Sequence, residues 1–278
     1  MSYKHAGEIG DVWKHLPLCD ILGIENPRRY HETNSAYSGY TLERNPKTEY
    51  GVFSILCEKA LYDCRYFSVL RSNGIWDKQY TGSPGLAMSI LFDKSDYFFH
   101  DIESGALSDI MLSAQRKGVE SRVKTFCGDS IQAFMKKEYM LNEEDFVFID
   151  PYTPFDKNAD GFHFFDVFEK AISCDSMTLL WYGYDNFENK EKISQKLKEI
   201  AILHNTGIYC FDVWSEGMTY GGECTVNPGV PGCGLACANL SKASLKKLGE
   251  YLRIVGNHYS NATYYDNNAS LLTKSTAY

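Results

Sequence analysis

From about residue 97 the chain alternates between short apolar, β-rich runs and amphipathic stretches, and this alternation restricts the fold more than any other feature. The runs expected as strands are Tyr97–Ile102, Arg122–Cys127, Phe146–Asp150, Met177–Tyr184, Gly207–Trp214 and Gly232–Leu240. Helical patterns fall between and after them, at Gly105–Lys117, Ser130–Lys137, Phe162–Ser173, Asn189–His204 and Lys242–Val255. Strands that read as continuous apolar runs have no solvent face. They belong to a mainly parallel sheet covered by helices on both sides, an α/β fold. One further strand is expected just before Asn34, and an amphipathic helix over Asp11–Leu18.

The organisation that follows is a first strand and N-terminal motif in residues 1–42, a helical, aromatic insertion subdomain in 43–80, the remaining sheet in 81–256, and an irregular tail in 257–278. The 278 residues are enough for a sizeable core. The N-terminus has no apolar segment of the signal-peptide kind, and no run approaches the roughly 18 apolar residues of a membrane span. A cytoplasmic protein is expected, with its nine cysteines as thiols. Cys224, Cys233 and Cys237 lack a CxxC pair and read as core residues of a late strand, so no metal is expected. Lys and Arg number 28 against 36 Asp and Glu, a net charge of −8, which argues against a basic nucleic-acid binder. Much of the acidic excess falls within residues 81–160, whereas residues 1–80 are neutral overall.

In an open α/β sheet, ligands bind beyond the carboxyl ends of the strands. Those ends carry Glu32–Asn34, then Asp101 and Glu103, then Gly128 and Asp129, then Asp150-Pro-Tyr-Thr153. An acid after the second strand suits ribose hydroxyls, and one after the third suits an adenine amino group, because a carboxylate accepts from both. Asp129 before Ser130 is equally placed to cap a helix. Asp150-Pro151-Tyr152 offers a carboxylate and a ring at one point. The carboxylate can accept hydrogens of an adenine amine, and the ring can stack on the base.

Four segments carry a family resemblance. His5-Ala-Gly-Glu-Ile-Gly-Asp-Val-Trp-Lys-His15, Tyr30-His-Glu-Thr-Asn-Ser-Ala-Tyr-Ser-Gly-Tyr40, Tyr80-Thr-Gly-Ser-Pro84 and Phe148-Ile-Asp-Pro-Tyr152 are similar, in order and approximate spacing, to motifs of the bacterial 23S ribosomal RNA adenine-N6 methyltransferases of the methyltransferase J type. The resemblance implies a class I, Rossmann-like, seven-stranded sheet and S-adenosylmethionine as cofactor. Lys14, His15, Asn34, Ser83, Asp101, Gly128, Asp129 and Asp150 would surround that cofactor. Asp150, Pro151 and Tyr152 would form the catalytic segment, and Tyr3, Lys4 and Tyr152 would face RNA, more readily than DNA, in unfolded or single-stranded form. The oligomeric state is not implied.

The chain departs from the family at the glycine-rich loop, where Ala36 and Ser38 replace glycines, Tyr37 stands between them and Asn34 replaces a histidine. A Cβ at positive φ costs roughly 1 kcal/mol, and Tyr37 could fill cofactor space. The catalytic tetrapeptide is one residue shorter, which leaves Phe155 as an alternative stacking ring. Two other readings therefore stand beside RNA methylation: a non-catalytic nucleic-acid or protein-binding relative, and a methyltransferase with a protein or small-molecule acceptor.

Overall fold

The structure is a computed structural model describing residues 5–278. Tyr3 and Lys4, expected to face the substrate, lie outside the described residues. The first helix, α1 (Ile9–Glu25), buries Val12, Trp13, Leu16, Leu18, Cys19, Ile21 and Leu22. A helix apolar on nearly every side has to sit inside the protein. This one lies between the sheet and helices α2 (Arg65–Ser72), α3 (Ser83–Leu91) and α8 (Lys242–His258). Asn26 ends it in the left-handed conformation, at φ 48°.

Eight strands form one sheet. They are β1 (Arg29–Glu32), β2 (Asp96–Asp101), β3 (Val123–Cys127), β4 (Asp145–Ile149), β5 (Met177–Tyr184), β6 (Tyr209–Ser215), β7 (Gly232–Ala238) and β8 (Leu271–Ala277). Their spatial order is β8-β6-β7-β5-β4-β1-β2-β3. Neighbours from β3 to β5 pair in parallel, and β7 runs antiparallel to both β5 and β6. The connecting helices are α4 (Ser104–Lys117), α5 (Ser130–Met135), α6 (Phe164–Ser173) and α7 (Phe187–His204). This is the expected Rossmann-like α/β arrangement, with one strand more than expected.

The extra strand corrects the reading of residues 257–278 as irregular. Helix α8 continues to His258, and β8 then pairs with β6 over seven residues, from Leu271 opposite Ser215 to Ala277 opposite Tyr209. The segment 43–80 is helical, in short pieces, but it is not a separate subdomain. Its Tyr50, Val52, Phe53, Ile55, Leu61, Tyr66 and Phe67 join the same core cluster as α1. Cys233 and Cys237 are buried in β7, as a core reading expects, and Cys224 lies in the preceding loop. No helix among the described residues is long and apolar enough to cross a membrane.

The N-terminal ends of β1 and β4 are held by a buried charge. Asp145 accepts from Arg29 Nη2 (2.7 Å), His31 Nε2 (2.9 Å) and the Asn142 amide (2.7 Å). His31 Nδ1 meets the Tyr139 hydroxyl at 2.8 Å, and His100 Nε2 meets the same oxygen at 3.0 Å. Burial works against the Asp145 charge, but its bond to His31 and its other partners bring its pKa below the ordinary value. A depressed carboxylate stabilises the fold above its unfolded pKa of about 4, and that contribution is lost as the pH falls through the lower folded value. Asp145→Ala is expected to cost about 3–5 kcal/mol, because it strands a guanidinium and a buried imidazole. Denaturant titration at pH 7 checks this; a cost under about 1 kcal/mol would contradict it.

Candidate active site

The crossover from β3 to β4 carries the chain to the opposite side of β1. The carboxyl ends of β1 and β4 therefore flank the point where strand order reverses, the position at which such sheets bind ligands. The two ends are tied together: the Thr33 amide donates to the Phe148 carbonyl at 3.2 Å, and the Asp150 amide to Thr33 Oγ1 at 3.4 Å. Above them opens a cavity of about 630 Å³, within the range of small-molecule sites.

At the cavity wall, Lys14 Nζ donates to Asp150 Oδ2 (2.7 Å) and is 2.9 Å from Asp11 Oδ1, with the Trp181 ring centroid 5.0 Å away. Burial opposes the ammonium charge, but Asp11 and Asp150 outweigh it and raise the Lys14 pKa. Burial dominates at Asp150, whose pKa rises to about 6 although Lys14 pulls the other way. One oxygen of Asp150 is thus held by Lys14, while Oδ1 is buried and has no hydrogen-bond partner among the described residues. A buried acceptor left open in this way is costly unless a ligand donor meets it.

His15 is in a similar condition. Its Nδ1 meets the Tyr80 hydroxyl at 2.8 Å, and its Nε2 is buried and unpartnered among the described residues. Burial lowers its pKa to about 3, so the imidazole is neutral at pH 7. Ser83, in the first turn of α3, lines the cavity and donates its hydroxyl proton to Glu32 Oε1. Burial pushes the Glu32 pKa well above the ordinary value.

The loop after β1 settles how its substitutions are accommodated. Ala36 does take a positive φ, 53°, and its amide donates to Asp101 Oδ2 at 2.8 Å. The other Asp101 oxygen accepts from the Glu103 amide, also at 2.8 Å. Tyr37 is absent from the cavity wall. Its ring stands edge-on to Tyr40, at 6.1 Å, and its hydroxyl lies beside Gly105 at the start of α4. The substituted loop therefore leaves the cavity open. It packs closely on α3: a Cβ at Gly82 would come 2.2 Å from the Tyr37 carbonyl oxygen, and one at Gly85 would come 2.3 Å from that of Ser38. Thr-Gly-Ser-Pro-Gly85 is thus the surface on which this loop is seated.

Of the residues read from the sequence, Lys14, His15, Asn34, Ser83, Asp101, Gly128, Asp150, Pro151 and Tyr152 all line the cavity. Asp129 does not. Its Oδ1 accepts from the Gln132 amide at 3.2 Å as the N-cap of α5, the helix-capping alternative. Phe155 is also elsewhere, packed on Phe165 at 4.8 Å. Tyr152 is 47% exposed and donates to Asp185 Oδ1 at 2.6 Å, with its ring against Gly183. The sequence reading missed Asp11, Trp181 and the Gly229-Val230 pair, which also line the cavity. Asp11 carried one available signal, its position three residues before Lys14 on a helix face.

No family model and no curated protein matches the chain. Among solved structures it is similar to protein LPL1258 from Legionella pneumophila str. Philadelphia 1, family DUF519, at 18% identity over 98% of each chain with a TM-score of 0.72. More distant are the O-methyltransferase TomG from Streptomyces achromogenes, solved with SAM (12% identity, 81% of this chain and 79% of that one, TM-score 0.42), and an O-methyltransferase from Bacillus cereus, solved with SAH (12%, 81% and 80%, TM-score 0.43). At these identities the first likeness is one of fold, and the two looser ones carry nothing further.

Proposed function

We propose that the protein is an S-adenosylmethionine-dependent methyltransferase acting on the N6 amine of adenine in RNA. The observation that carries this reading is Oδ1 of Asp150, unpartnered among the described residues, at the carboxyl end of β4, beside Tyr152 and at the strand-order reversal. The motif resemblance supports the family-level detail.

The cavity residues fit the cofactor. Each Asp101 oxygen already accepts one backbone amide and keeps a lone pair for a ribose hydroxyl. Gly128 faces open space, and Ile102 is exposed beside it as an apolar surface for a purine. His15 Nε2, without a partner among the described residues, can bond a polar group, and the three carboxylates of Asp11, Asp101 and Asp150 outnumber the one Lys14 ammonium beside them, which suits a cation. When bound, the cofactor supplies an electrophilic methyl group on a sulfonium.

The chain's own residues then act on the acceptor. Asp150 Oδ1 accepts a hydrogen from the amine, drawing nitrogen electron density out of the ring and aligning the lone pair for attack. Lys14 holds the other carboxylate oxygen, so one oxygen is presented in a fixed position. Tyr152, anchored through Asp185, offers its ring to a base withdrawn from its stack. An unpaired adenine in single-stranded RNA meets this requirement at least cost. With a net charge of −8, binding should show only a shallow salt dependence.

The cofactor half is tested by calorimetric titration with S-adenosylhomocysteine: saturable binding is expected, and none at millimolar ligand would refute it. The role of Asp150 predicts a pH profile. With its pKa near 6 in the unliganded site, the accepting form fills as the pH rises, so kcat/KM should climb through about pH 6 and level off above. Lys14→Met removes the influence that lowers this pKa, and the acidic limb should move to higher pH. A limb that does not move would remove Lys14 from this role.

A further inference from the structure

Away from the cleft, a second cavity of about 590 Å³ lies between the start of the 43–80 segment and the turn after α8. Ser54 and His258 both stand on its wall. Ser54 Oγ is 2.9 Å from His258 Nε2, and His258 Nδ1 is 3.1 Å from Glu58 Oε2. Glu58 is not on the cavity wall; it meets the imidazole nitrogen that does not face Ser54. An acid on Nδ1 holds the ring proton there and leaves Nε2 as the acceptor for the serine hydroxyl. The hydrogen-bonded order is therefore nucleophile, base and orienting carboxylate.

The local backbone agrees with a site. Ser54 directly follows a π-helical turn, Glu49–Phe53, in which Gly51 departs from helical geometry at φ −74°, ψ −113°. Such turns are uncommon and concentrate at functional positions.

We propose that Ser54, His258 and Glu58 form a second nucleophilic centre, independent of the cleft, that cleaves small acyl esters. Tyr50, Tyr259 and Tyr264 line the cavity and suit an apolar or aromatic acyl group. In the first step Ser54 Oγ bonds to the acyl carbon as its proton passes to His258 Nε2. The ester C–O bond then breaks, and the alcohol leaves with that proton. Water attacks the acyl-serine, its proton goes to His258 and back to Ser54, and a carboxylic acid is released.

A fluorophosphonate probe tests this on the full-length protein, with the modified residue located by peptide mass mapping. The expected result is one adduct, on Ser54, lost in Ser54→Ala and formed at least about 10²-fold more slowly in His258→Ala. Glu58→Gln should slow labelling with Ser54 still the site. Absence of an adduct on Ser54 in the folded wild-type protein would overturn the proposal, whatever the variants do. Labelling of Ser54 at an unchanged rate in His258→Ala would overturn it equally.

Discussion

Asp150→Ala is expected to lower methyl transfer by about 10²- to 10⁴-fold while S-adenosylhomocysteine affinity stays within a few-fold. The separation follows from geometry. The oxygen facing Lys14 belongs to the structure, and the other is buried with no partner among the described residues. Removing the carboxylate takes away the acceptor for the amine, while Asp11 remains 2.9 Å from Lys14 and keeps that charge paired. Asp150→Asn should be no better. The new amide oxygen would turn to Lys14, leaving an NH₂ directed where the acceptor amine needs an acceptor. Single-turnover transfer alongside calorimetric affinity separates the two quantities. Retained turnover in either variant would remove Asp150 from its role, and affinity lost together with turnover would make it a cofactor ligand instead.

The second large effect concerns the C-terminal segment. Truncation after Gly256 is expected to leave the chain unable to fold. It removes β8 and its seven-residue pairing with β6, so a strand containing Cys210, Phe211 and Val213 becomes the sheet edge. It also removes Tyr259, Ala269 and Leu271, all buried. The Tyr259 hydroxyl is 2.9 Å from the Tyr50 carbonyl oxygen, and the Tyr50 hydroxyl is 2.5 Å from that of Ala269. Burial of a large apolar side chain contributes about 1.5–3 kcal/mol, and a whole domain is stable by only about 5–15 kcal/mol. Solubility on expression and thermal melting of the truncated chain check this. A soluble product melting within a few degrees of the full chain would contradict it.

That segment also marks where sequence reading ran short. Strands β4 and β5 are buried on both faces, so Phe146–Ile149 and Met177–Tyr184 stand out as apolar runs. Strand β8 is an edge, and Leu-Leu-Thr-Lys-Ser-Thr-Ala277 exposes much of its length, which resembles an irregular tail. The four residues of β1, Arg-Tyr-His-Glu32, carry two ionisable side chains and a histidine within the sheet. They are tolerated because Asp145 and Ser83, as well as Tyr30 within the strand, partner them, and Asp145 and Ser83 are too distant in sequence to leave a local signal.

The site divides along the same line. Strand ends are legible, so Asp101, Gly128 and Asp150 could be named from position alone. Asp129 satisfied the same rule but caps a helix, because a carboxylate before Ser130 serves a backbone amide as readily as a ligand. Trp181 stayed hidden inside a strand that reads as core, although its ring flanks Lys14. Tyr37, expected to compete for cofactor space, turns toward Gly105 because Gly82 and Gly85 let its loop settle against α3. That depends on three separated segments.

The activity proposed for this cleft is methyl transfer to adenine N6. The most direct measurement incubates the protein with methyl-labelled S-adenosylmethionine and unmodified total RNA, then digests the RNA to nucleosides. The prediction is label in N6-methyladenosine, absent with Asp150→Ala. Label appearing only in protein, in a small molecule or in another nucleoside, or no label with RNA at all, would contradict it.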